Sequence, residues 1–479
     1  MRARGFWHTA VPLTAGLLVG CGGHGGGSGY AAPPPPSPPP AAAKVTFQTP
    51  PVKTINFGQA VTLNWTTSNV TSCTGSASST IGEGFNGNQA TSGPVTVAPT
   101  GAGSVTFTLT CTGASGNATD TTATITVNQS ILQNLGAQIS KIVQIGSTSV
   151  ANETNPYGLA IATFTSGKVT AGDLIACNFN SAADNAANPP VEGDGSTLIA
   201  LHPTPGATPT LIAQSDSLRG CNALTILADG TIGAAGYTAK ALPFVATNGT
   251  VTTPIAGDAF TGGPWGAAFV PSKGSIPAAL YASTVSGTIS RISGNGATVT
   301  EIAKGFCGGG TPGSIYGPSG LTYDGSIDTL YIVDTASYSV VAFANVSNIG
   351  SDGVIVNGNC PSPLTAPTPE PTFSGPSASS ARVIANGAPF VAPLSAALLA
   401  DGDLIVTNSD INIPASGATP NLAFEISPVL PKGFVGDSLQ LDSGASGALF
   451  GIVATTDAQG HQIIYFNDDN LNAVEMLSE

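Results

Sequence analysis

Charge is scarce in this chain of 479 residues: 8% are Asp, Glu, Lys or Arg, and 6% are aromatic. Positive charge is scarcest, with 13 Lys and Arg against 27 Asp and Glu. Arg2 and Arg4 precede Cys21 in a segment expected to be removed, which leaves 11 basic residues against 27 acidic ones and a net charge near −16. That charge repels phosphate backbones and argues against nucleic acid as a partner. Long apolar runs are lacking too. Beyond the first twenty residues nothing reaches the ~18 uninterrupted apolar residues that suggest a membrane span. Even APLSAALLADGDLIV, from Ala392, is broken by Asp401 and Asp403. Nor is there a GxSxG nucleophile elbow, an HExxH zinc motif or a phosphate-cradling GxxxxGK. What the chain has instead is 61 Gly and 37 Pro among 41% hydrophobic residues. This is too loop-rich for a helical protein and too apolar for a disordered one, and it predicts an all-β fold.

Arg2 and Arg4 stand ahead of a short apolar segment, residues 10–19, and of small residues before a cysteine. That is the layout of a cleaved export signal rather than of an anchor helix. LVGC, residues 18–21, resembles the lipobox of bacterial lipoproteins. The resemblance implies removal of residues 1–20, acylation of Cys21 and attachment to a membrane through that lipid. Gly22, where Asp would stand for the alternative sorting, implies the outer membrane of a two-membrane envelope. An ordinary signal peptide with an incidental Cys21 is the other reading. Residues 21–43 are expected to be a tether, because 22–43 hold no acidic residue, no large aliphatic and one aromatic and so cannot bury a core. PPPPSPPP, residues 33–40, favours polyproline II at about 3.1 Å per residue, a stand-off of roughly 25 Å.

Over residues 44–129 apolar and polar side chains alternate. Val61, Leu63 and Trp65 point one way and Thr62, Asn64 and Thr66 the other, and Val105, Phe107, Leu109 and Cys111 repeat the pattern. Several half-buried strands in so short a span predict a β-sandwich. VTLNWTTSNVTSCTG and VTFTLTCTGASGNATDTTATITV resemble bacterial Ig-like domains of secreted proteins. Trp65 precedes both Cys73 and Cys111, whereas in antibody domains the tryptophan lies between the cysteines. A Cys73–Cys111 bridge would then lie within one sheet. The domain reads as a rigid spacer, with adhesion as the alternative role.

Residues 130–479 repeat. Six segments, NPYGLAIAT, CNALTILAD, GPWGAAFVP, GPSGLTYDG, APLSAALLA and LFGIVATTD, each combine a turn with a small-residue strand, and a second strand follows each. Their anchors, Pro156, Cys221, Pro264, Pro318, Pro393 and Leu449, are 65, 43, 54, 75 and 56 residues apart, as four-stranded blades with variable loops require. The pattern resembles the NHL-type six-bladed β-propeller, so the predicted architecture is an N-terminal Ig-like sandwich followed by a six-bladed propeller. The sixth repeat ends after three strands, and residues 138–146 are expected to supply the missing one, because an unpaired edge is a liability. The first strand of each blade begins, and the second ends, on one face. That brings Cys177 near Cys221 and puts Cys307 and Cys360 in loops on the same face, giving three pairs beside the lipidated Cys21.

The residue after each anchor should ring the channel mouth: Tyr157, Asn222, Trp265, Ser319, Leu394 and Phe450. Three aromatics without charge suit stacking on a sugar ring or gripping an apolar group; the same side chains would equally serve as a plug. Asn178, Asp334, Asn408 and Asn467 end second strands on that face, where they could ligate calcium, which prefers oxygen donors, or cap their own turns. The gluconolactonase-like propellers hold one metal with a Glu, two Asn and an Asp at the mouth. Resemblance to them carries over to Glu153 and Asn222, with Asp334 as a further carboxylate, but Ser319 and Leu394 stand where an amide and a carboxylate are needed. Related lyases rely on several histidines, and this propeller has only His202 and His461. The sequence therefore reads as an exported, lipid-anchored binding protein without a required cofactor, whose propeller mouth takes a glycan, peptide or protein. A metal-dependent hydrolase or lactonase, or a structural envelope component, are the alternatives.

Overall fold

The computed structural model describes residues 34–50, 52–187, 191–256, 260, 262–293, 298–358, 360, 368–408, 419–429 and 436–479. The expected signal peptide, Cys21 and residues 22–33 of the tether lie outside them. Among the described residues no helix is long and apolar enough to cross a membrane.

Residues 42–479 form one compact unit. Its first part, up to Val127, is built of short strands whose alternate residues meet in one core: Val61, Leu63, Trp65, Phe85, Phe107 and Leu109 are all buried there. Phe85 stands edge-on to both Trp65 and Phe107, at 6.1 and 5.4 Å between ring centroids. Strand Ser72–Ala77 runs antiparallel to Phe107–Gly113 with Cys73 directly opposite Cys111, and a disulfide joins them. The bridge thus spans neighbouring strands of a single sheet.

A six-residue helix, Ile131–Gly136, follows, capped by Ser130 Oγ, which accepts from the Gln133 amide. Leu132 and Leu135 on this helix are buried among Leu399, Leu441 and Leu449. The helix therefore fastens the linker to the second part of the unit.

That second part is a six-bladed propeller. Six antiparallel sheets succeed one another, their inner strands being Thr154–Ile161, Cys221–Ile226, Pro264–Val270, Pro318–Asp324, Pro393–Leu398 and Leu449–Thr456. Each inner strand packs beside the next, and the sixth returns to the first. Small residues on these strands have a steric cause. A Cβ on Gly266 would overlap the Ser319 carbonyl of the next blade, and one on Gly451 would overlap the Tyr157 carbonyl across the ring closure. Every inner strand also carries a bulge just after its anchor, which locally increases twist and re-aims the side chains there.

The ring closes by strand exchange. Val143–Ser147 pairs antiparallel with Ala473–Ser478 as the outer strand of the sixth blade; residues 139–141, ahead of it, form a 3-10 turn rather than strand. Blade three is larger than the repeat implies. Val354–Asn357 adds in parallel to its outer strand Thr298–Lys304, and Thr372–Ser374 pairs beyond that. The chain then returns to give blade four its outer strand, Ala381–Asn386.

Candidate functional site

A channel of about 500 Å³ runs down the axis, lined by five consecutive residues of each inner strand. Each inner strand is hydrogen-bonded to a neighbouring strand on one side only, and side chains of adjacent blades take up part of its other edge, as where Thr322 donates to the Ala396 carbonyl and the Phe269 amide donates to Thr225. Among the described residues no Asp, Glu, Lys, Arg or His lines the channel. It offers neutral amides, Thr and Ser hydroxyls and short apolar side chains.

The six residues that follow the anchors all converge at one end of this channel. They are between 2% and 9% exposed. Tyr157 stacks on Phe450 at 3.7 Å between ring centroids and on Phe179 at 4.4 Å. Trp265 stands edge-on to Tyr157 at 6.0 Å and to Tyr237 at 5.7 Å. Leu394, Val285 and Ile315 complete the cluster. Ser319 Oγ lies 2.8 Å from the Leu394 carbonyl and donates to it, and Asn222 Nδ2 donates to the Pro264 carbonyl. The expected stacking surface of Tyr157, Asn222, Trp265, Ser319, Leu394 and Phe450 is therefore closed. The rings satisfy one another, and the two polar side chains serve neighbouring blades. Burial, with the charges of Glu192 and Asp469, holds the Tyr157 phenol well above its ordinary value.

At the far ends of the inner strands the exposure returns. Ile161, Ile226, Phe269, Tyr323, Leu398 and Ala454 line the channel and are half-buried. The accessible surface of the channel thus lies opposite the aromatic ring. The described part of residues 361–391 forms outer strands of blades three and four; residues 361–367 lie outside the described residues.

The expected metal set is divided among blades. The Glu153 carboxylate accepts from the amides of Ser196 and Thr197 at 2.7 and 2.8 Å and from Ser196 Oγ at 2.9 Å, all in blade one. Asn222 is engaged with blade three as above. Asp334 accepts from the Ala336 amide and the Ser337 hydroxyl of its own turn, and burial raises its carboxyl to about 6 against those bonds. The three are not brought together. Among the described residues, Asp334 is the one of the four strand-end residues seen to cap its own turn. Asn178 donates to the Thr148 carbonyl and Thr197 Oγ1, Asn408 to the Pro389 carbonyl, and Asn467 to the carbonyls of Tyr157 and Gly158 across the ring closure. Each of these asparagines thus ties its strand end to another segment. His202 and His461 sit at the surface against Asp173 and Asp457.

Disulfides Cys177–Cys221 and Cys307–Cys360 fasten the ring face. With Cys73–Cys111 they mark an extracytoplasmic protein, since such bonds persist in oxidising compartments.

Phe179, Tyr237 and Val285 escaped the sequence reading, although each follows by one residue the strand partner of an anchor: Asn178, Gly236 and Thr284. That offset was the available signal.

No protein-family model matches the chain, and no curated protein matches it. Among solved structures it is similar to a gluconolactonase of Xanthomonas campestris, with 13% identity over 72% of this chain and 92% of that one and a TM-score of 0.44. Virginiamycin B lyase of Staphylococcus aureus is 14% identical over 71% of this chain and 99% of its own, with a TM-score of 0.40. A Bacteroides thetaiotaomicron protein of unknown function is 12% identical over 93% and 99%, with a TM-score of 0.44. The likeness is one of fold alone.

Proposed function

We propose that this is an exported protein, anchored by a lipid on Cys21, that binds an uncharged glycan or peptide in the propeller channel from the end opposite its aromatic ring. The observation that carries this reading is the channel lining of hydroxyl, amide and apolar side chains, in which no carboxylate, amine, guanidinium or imidazole stands among the described residues. Backbone amides and hydroxyls recognise neutral hydrogen-bonding groups, and among the described residues the walls carry no carboxylate or imidazole of the kind that most often serves as acid, base or metal ligand. The strands of residues 44–129, read as an Ig-like spacer, and the proline-rich tether would hold the channel away from the membrane. The hydrolase reading has less support, because Glu153, Asn222 and Asp334 are engaged in separate blades.

Placing a charge and bulk at the open end tests this. Ala454→Arg is expected to abolish retention of the purified protein, lacking residues 1–21, on an immobilised glycan and peptidoglycan panel, with its melting temperature unchanged. Retention equal to the parent's would overturn binding through the channel.

A further inference from the structure

On the face opposite the aromatic ring, three carboxylates meet where the first part of the compact unit touches blade five. Asp401 and Asp403 lie in the turn before strand Leu404–Asn408, and Glu425 on the neighbouring strand Leu422–Ile426. Ile405 pairs with Glu425 in register; Asp403, two residues earlier, shares its face. One oxygen from each of the three lies within 4.8 Å of the others, the span of two ligands on opposite sides of one calcium ion at about 2.4 Å.

This cluster is no solvated acidic patch. Asp403 is 3% exposed and Glu425 fully buried. Asp403 Oδ2 is buried without a hydrogen-bond partner, which is costly unless something else satisfies it. Among the described residues no ion pair involves any of the three. Burial, then the charge of Asp401, pushes the Asp403 carboxyl up to about 8. Glu425 is raised to about 8 chiefly by burial, although the amides of Ile131 and Leu132 donate to it. Further oxygens stand close by. Ser427 Oγ donates to the Gly58 carbonyl at 3.2 Å, and Gly58 approaches so closely, at φ +78°, that a Cβ there would collide with both Ser427 Oγ and the Asp403 carboxylate. Asp401 lines a cavity of about 540 Å³ shared with Asn56, Asn128 and Glu479, which gives an ion a way in.

We propose that Asp401, Asp403 and Glu425 form a calcium site that locks residues 56–58 and the helix Ile131–Gly136 onto blade five. An all-oxygen donor set selects a hard cation such as calcium over softer metals, and the missing ligands would be water. The ion would offset three like charges at once and join the first part of the unit to blade five through Glu425, which accepts from the helix amides as well.

The test is calorimetric titration of CaCl₂ into chelator-treated full-length protein, with melting temperature as a second readout. Uptake of about one equivalent is expected, with a rise of roughly 3 °C at a hundredfold excess over Kd. Asp403→Asn and Asp401→Asn should each weaken binding at least about tenfold, the loss of roughly 1.4 kcal/mol, while Asp334→Asn, at the ring face, binds as the parent does. Should Asp403→Asn fail to fold, Asp401→Asn, at the more open member, decides alone. Absence of calcium uptake by the parent, undiminished uptake by the foldable Asp401 and Asp403 variants, or loss of uptake in Asp334→Asn would each overturn the site. None of these outcomes depends on the channel binding anything.

Discussion

Trp265 shows how one side chain divides recognition from packing. Its indole stands edge-on to three other rings and is buried. Trp265→Ala should therefore cost about 3–5 kcal/mol, as truncation of a large buried aromatic does, and should appear as a lower melting temperature in thermal denaturation. A variant that melts like the parent would mean that the ring is loosely packed. The position of this residue was legible in the sequence, because the repeat fixes which residue follows each anchor. Its environment was not, because Phe179 and Tyr237 arrive from second strands and Ile315 from a loop, and only the assembled ring shows that they fill the mouth. The same limit applies at the opposite face. In sequence Asp401 and Asp403 merely interrupt an apolar run; their company with Glu425 depends on the register between two strands.

At the level of strands, the repeat was read correctly wherever a blade follows the common plan, since the turn-and-small-residue pattern expresses the steric crowding of inner strands. The insertion in blade three was not legible. Val354–Asn357 carries a strand pattern, but nothing local says that it adds in parallel to Thr298–Lys304 and leaves blade four to wait for Ala381–Asn386. The closing strand matters for stability. Removing residues 143–147 exposes the hydrogen-bonding edge of Ala473–Ser478 and takes the fully buried Ile145 out of its cluster with Tyr465 and Val474. The shortened protein is expected to melt at a lower temperature and to associate through that edge, as scanning calorimetry and size-exclusion chromatography would report. An unchanged melting temperature and a monomeric profile would show that the ring holds without this strand.

Across the whole molecule the acidic balance has a consequence for stability against pH. Burial above all, then the charge of Asp442 on Asp468, of Glu192 on Asp469 and of Asp468 on Glu475, raise Asp468 to about 6, Asp469 to about 7 and Glu475 to about 7. Between their ordinary values near 4 and these raised ones, the folded chain holds protons that the unfolded chain has released, so stability must fall as pH rises through that window. The melting temperature is expected to decline from about pH 4.5 to about pH 7.5, and Asp469→Asn should flatten the decline; a flat profile for the parent would contradict the burial of these groups. The exchanged strand also fixes an order of events. Ser147 meets Asn472, 325 positions later, so a chain emerging amino-terminus first presents half of its latch early and the other half only after the strands of five blades. Five blades can finish during translocation, but the sixth cannot, and until it does the newborn molecule stays an open arc. Loss of strand Ala473–Ser478 would leave it in that juvenile state permanently, visible to any protease that surveys unfinished chains.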